Sequence, residues 1–150
     1  MKEFRELLFR GQTRKKSERV RTNDNPVEGN WEYGGILQGK GGYSILYALD
    51  ENEHFKDTLS VYNETVGQYT GFKDKNEKRI FEDDILEAHY DRRYPEDAIF
   101  ARVVWNNNAG CWMIEEKNGR DIILDDLIVK YNEVIGNIHD HPELLEVNKS

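Results

Sequence analysis

The chain has 150 residues, a net charge of −8, 33% charged residues against 37% hydrophobic ones, and 11% aromatics. Disordered chains are poor in aromatics, so this composition excludes one, and the length suits one domain whose core needs no staple. No apolar run approaches the ~18 residues of a membrane span, and the single cysteine, Cys111, excludes a disulfide framework or a Cys-based zinc cage. The expected setting is therefore a reducing cytoplasm, with no membrane partner. Met1 to Glu6 lacks the apolar stretch of a signal peptide. The charge is uneven. Residues 1–21 hold eight Lys/Arg and three Glu, a balance of +5, and the remainder carries −13.

The predicted elements are short strands between turn residues. In Phe4 to Arg10, Leu7 and Phe9 alternate with polar neighbours, which predicts a strand ended by Gly11, although Phe4 and Leu8 also fit one helical face. Residues 12–28 show no apolar period and read as a loop, basic first and then turn-like at Asn23-Asp24-Asn25-Pro26. Trp31-Glu32-Tyr33, running on to Ile36 and Leu37, predicts a half-buried strand. Gly39 to Gly42 is a hairpin turn, and Tyr43, Ile45 and Tyr47 follow at period two. Leu59 and Val61, then Val66 to Thr70, continue the β pattern, and short strands bracket Thr70 to Lys78. Ile80 to Tyr90 predicts a turn and then a strand from Asp84. Ile99 to Trp105, the loop Asn106 to Gly110, and Cys111 to Glu115 form a hairpin. Lys117-Asn118-Gly119 turns into Ile122-Ile123-Leu124. Asp125 caps one helical turn, Val134 to Ile138 is a last strand, and Pro142 opens a short helical turn. No internal repeat is evident. The pattern predicts a mainly β chain, a short-stranded barrel or sandwich with little helix, and an SH3-like barrel at 80–138.

Candidate chemistry is sparse. Glu82, Asp83, Asp84 and Glu87 read as a solvated turn and strand edge rather than as a metal or acid–base site. Asp74 to Lys78 begins like a calcium loop, but Lys78 and Arg79 stand where that loop needs an oxygen ligand and a glycine. His139 and His141 lie two apart without further ligands, and Cys111 belongs to no nucleophile signature. No catalytic residue, metal site or cofactor is assigned, and a metal-assisted enzyme is the least favoured reading. The basic loop offers more. Within the cluster from Arg10 to Arg21, Arg14, Lys15, Lys16 and Arg19 suit phosphates, and Trp31, Tyr33, Tyr43 and Tyr47 offer stacking faces. Against this, the aromatics also suit a core and the charges a solvated loop.

The tract from Glu64 to Glu87 carries Val66-Gly67-Gln68-Tyr69-Thr70-Gly71-Phe72-Lys73-Asp74-Lys75-Asn76 and Ile80-Phe81-Glu82-Asp83-Asp84-Ile85. It resembles the signature of the YopX family of phage and prophage proteins, V-G-Q-Y-T-G-L-K-D-K-N-G-K-x-I-Y-E-G-D-I. Arg5 to Gly11, Gly29 to Gly34, Glu133 to Ile138 and Pro142 to Leu145 are similar to the family's other anchors, in the same order. The resemblance implies a mostly β protein encoded by a phage or prophage, one YopX-like domain with an N-terminal β lobe at 4–63 and the motif with its barrel-like part at 64–145. It transfers no catalytic or ligand-binding residue. Gly67, Gln68, Tyr69, Thr70, Gly71, Lys73, Asp74 and Asp84 are carried over as motif positions, structural or binding. Glu77 and Asp83 stand where the family has Gly, so their turns are expected to differ locally, because a positive φ costs a non-Gly residue about 1 kcal/mol. His139 and His141 also depart from the pattern, and residues 12–28 look like an insertion. The function expected is a noncatalytic accessory protein that binds a host or phage protein, with self-association through edge strands and exposed aromatics. Nucleic-acid binding through the 10–21 loop is the alternative.

Overall fold

The computed structural model describes residues 4–14, 29–42, 44–89, 93 and 98–146. Strands make up 53% of it and helix 9%, so the mainly β class holds. The strands are β1 (Phe9–Gln12), β2 (Trp31–Gln38), β3 (Ser44–Leu49), β4 (Phe55–Val61), β5 (Gly67–Lys73), β6 (Arg79–Phe81), β7 (Asp84–Ala88), β8 (Ile99–Asn106), β9 (Cys111–Glu116), β10 (Asp121–Ile123) and β11 (Asn132–Asn137). One-turn helices lie at Asn63–Thr65, at α1 (Asp126–Val129) and at Pro142–Leu145. Two antiparallel sheets result, ordered β4-β3-β2-β1-β5-β6 and β10-β9-β8-β7-β11. By packing, the chain forms two compact units, Met1–Tyr69 and Thr70–Ser150, divided within β5.

In the first unit, strand alternation puts Leu46, Ala48, Leu59 and Val61 on one face, all buried, with Phe9, Ile36 and Val66 packed against them. This sheet curls tightly. Beyond β1, Thr13 bridges back to Val61 of β4, and the Arg14 N–H donates to the Ser60 carbonyl at 3.0 Å. Glycine permits that curl. A Cβ on Gly34 would sit 1.9 Å from the Tyr47 carbonyl oxygen, and one on Gly11 2.9 Å from Val61 Cγ2. An isolated bridge is not a ladder, so the sheet stays open.

In the second unit, Leu86, Ala101, Val103, Ile114, Leu124, Val129 and Val134 form the core together with Ile80. The SH3-like barrel expected at 80–138 does not close, and β10 and β11 remain the two ends of the sheet. The reason is local. β10 has three residues. The outer edge of β11 is taken by a turn instead of a strand: the Lys75 N–H donates to the Asn132 carbonyl at 3.0 Å, and the Val134 N–H to Asp74 Oδ2 at 2.9 Å.

Two repetitions escape the sequence pattern. Both units run through a four-strand meander and one helical turn to a fifth strand that pairs with the first, β5 with β1 and β11 with β7. Three hairpin turns also share one construction. In Asp50–His54, Asp74–Lys78 and Glu116–Arg120, the first N–H donates to the fifth carbonyl, and the fourth N–H to the first carbonyl. The fourth residue has a positive φ each time: Glu53 at 62°, Glu77 at 64° and Gly119 at 92°.

Candidate functional site: the signature turn and the outer sheet face

Most signature side chains turn inward. Asp74 is buried, and its carboxylate accepts three backbone N–H groups: Asn76 at 2.8 Å and Lys78 at 2.9 Å through Oδ1, and Val134 at 2.9 Å through Oδ2. It therefore shapes its own turn and fastens that turn to β11. Asn76 Nδ2 donates to Glu133 Oε1 at 3.0 Å, and Lys75 Nζ lies 3.7 Å from Glu133 Oε2. The Thr70 hydroxyl donates to the Ile80 carbonyl at 2.8 Å and accepts from the Phe72 N–H at 3.1 Å. Gly71 between them has φ 91°, a conformation that favours glycine. Asp84, buried, accepts the Phe81 N–H at 2.7 Å. Gly67 pairs with Arg10, Gln68 with Phe9, and the buried Tyr69 donates its N–H to the Leu8 carbonyl.

Lys73 carries the exposed side chain among the carried-over motif positions. With Asp74, Lys75 and Glu77 it lines one side of an open groove of about 520 Å³. The other side is α1, through Asp126, Val129 and Lys130. That helix starts at Asp125, whose side chain accepts the Leu127 and Ile128 N–H groups at 3.0 and 2.9 Å. Lys73 and Lys130 are exposed, and their ammonium groups make no hydrogen bond or ion pair among the described residues. The groove thus gathers three ammonium groups, two of them uncommitted, on a scaffold fixed by backbone hydrogen bonds. Sequence reasoning named Lys73 and Asp74 but missed Lys130, which lies 57 residues beyond Lys73 and bears no local mark.

The two expected departures from the signature are corrected. Glu77 and Asp83 keep positive φ, 64° and 71°, without glycine. Asp83 is compensated by its side chain: Oδ1 accepts from Arg102 at 2.9 and 3.2 Å, and Oδ2 lies 3.2 Å from His139 Nε2. Burial pushes the Asp83 pKa up, but the His139 and Arg102 hydrogen bonds, with their charges, outweigh it and hold the carboxyl below its ordinary value. His141 is also placed structurally. Its Nδ1 accepts the Asn137 N–H at 3.4 Å, and it covers Gly136 so closely that a Cβ there would meet it at 2.5 Å. No three His, Cys, Asp or Glu side chains converge on a metal-sized site among the described residues.

The basic loop is only partly in view. Lys15, Lys16 and Arg19, like Tyr43, lie outside the described residues. Arg14 stacks over Tyr62 at 5.8 Å, and Arg10, although part of the basic cluster, is buried with its guanidinium 4.7 Å from the Trp31 ring. Tyr33 and Tyr47 stay exposed on the outer face of the first unit's sheet, with Leu37 and Phe55. No described helix is long and apolar enough to cross a membrane. No curated protein matches the sequence. The model of the YopX protein family matches residues 14–146. That match takes in the signature turn, the groove beside it and every strand except β1, and the chain belongs to the YopX family.

Proposed function

We propose that this chain is a phage- or prophage-encoded accessory protein that acts by binding a host or phage protein in the bacterial cytoplasm, without catalysing a reaction on it. The groove at the signature turn carries this reading. Asp74 directs its hydrogen bonds into its own backbone and thereby holds Lys73 and Lys75 opposite Lys130 across an open depression. The uncommitted ammonium groups of Lys73 and Lys130 suit recognition, and an acidic polar segment of a protein is the complementary occupant. The mixed lining, with Glu77 and Asp126 among the lysines, favours such a segment over the uniform negative charge of a nucleic acid.

The test is affinity capture from infected or prophage-induced cells, with and without nuclease, using the wild type and a Lys73→Glu/Lys130→Glu variant. A discrete protein that survives nuclease and is lost with the variant is expected. Capture that disappears with nuclease would transfer the function to nucleic acid. Capture indifferent to both lysines would remove the groove from it.

A further inference from the structure

The outer face of the first unit's sheet is unusual for this chain. Strand alternation and register place Trp31, Tyr33, Gly35 and Leu37 of β2 beside Ile45, Tyr47 and Leu49 of β3, and these beside Phe55, Thr58 and Ser60 of β4. Four of the large side chains are well exposed: Tyr33 at 40%, Leu37 at 54%, Tyr47 at 44% and Phe55 at 64%. One-third of the chain's residues are charged, yet among the described residues this face shows no exposed charge. Arg10 does project here, opposite Tyr33, but it is 6% exposed and stacked on Trp31. The Lys56–Glu32 pair belongs to the other alternation, since Glu32 follows Trp31. Depletion of charge at the centre of a patch, with tyrosine enriched, is the compositional mark of an interface core.

We infer that this face pairs with the same face of a second copy. The charge distribution singles out that occupant. Residues 1–69 carry 10 Lys/Arg against 11 Asp/Glu, and residues 70–150 carry 11 against 18, so seven of the eight net negative charges belong to the second unit. Two copies therefore repel least through their first units. A neutral face set against its own image buries no unpaired charge, which is the usual cost of a poor contact. A two-fold contact needs one self-complementary patch, and two sheet faces pack well at about 10 Å. The four exposed side chains offer roughly 400 Å² per copy, about half the share of a standard interface, so the dimer is weak.

Sedimentation equilibrium of the full chain tests this. From ~1 to ~500 µM the mass is expected to climb from 17.7 kDa toward twice that value. Added salt should strengthen association by screening the like charges. Leu37→Lys and Tyr47→Lys, made separately, should each weaken it at least tenfold while leaving the far-ultraviolet circular dichroism unchanged. If one of them disturbs folding, Thr58→Lys on the same face serves instead. A mass that stays at 17.7 kDa across the range, or a dimer that survives the lysine variants, would overturn the proposal. The face and the lysine groove share no residue: Lys73→Glu/Lys130→Glu should leave the dimer intact, so failure of one reading does not mimic failure of the other.

Discussion

The three D/E-x-N-[E/G]-x turns amount to one experiment performed three times. The two backbone hydrogen bonds match throughout, and the left-handed fourth position is Glu53, Glu77 or Gly119. A left-handed conformation costs a residue with a Cβ about 1–2 kcal/mol, and glycine returns part of that through its freer unfolded chain. Glu77→Gly should therefore stabilise the protein by roughly 0.5 kcal/mol, seen as a higher urea midpoint at unchanged slope. Asp83 differs, because its side chain has gained work that glycine could not do. Its depressed carboxyl pKa contributes stability that is fully present above the unfolded-state value and is lost as pH falls through the lower folded value. Wild-type stability should thus drop on acidification below about pH 4, the ordinary aspartate range. Asp83→Asn should show a shallower decline in urea unfolding between pH 6 and pH 3, starting from a lower plateau.

Among the elements, the turn at Asp74–Lys78 matters beyond its own length. It occupies backbone groups on the free side of β11 that would otherwise recruit another strand. Asp74→Ala removes an acceptor from three N–H groups, one of them in the core-facing strand. A loss of about 3 kcal/mol is expected, with more light scattering on heating as the β11 edge is released. Asp74→Asn keeps one oxygen for Asn76 and Lys78 but offers Val134 a donor in place of an acceptor, so it should lose about half as much. Thermal and urea unfolding of the two variants side by side measures both. If Asp74→Ala is as stable as the wild type, the turn does not secure the edge.

For the molecule as a whole, the legible part was local. Period-two alternation located β2, β3, β8 and β9, Asp125 and Pro142 marked one-turn helices, and the signature fixed the family. The first strand lies at Phe9–Gln12, shifted from the expected 4–10, and its charged Arg10 is buried against Trp31 on the sheet's outer face. What stayed hidden depends on distance along the chain. Nothing near Asp74 announces Val134, nothing near Lys73 announces Lys130, and a curl made by Gly11 and Gly34 leaves no periodic trace. The doubled strand order was invisible for a related reason. The two units share connectivity but not residue pattern, and connectivity becomes readable only when the fifth strand is seen beside the first.

The reach from Asp74 to Val134 also sets a timetable. The signature turn leaves the ribosome 60 residues ahead of the strand edge it must cover. At typical synthesis rates that is a wait of roughly 3–12 s. By then every strand of the first unit has already emerged. The nascent chain therefore completes its first sheet early and carries a finished clamp with nothing to close on, until β11 follows 60 residues behind it.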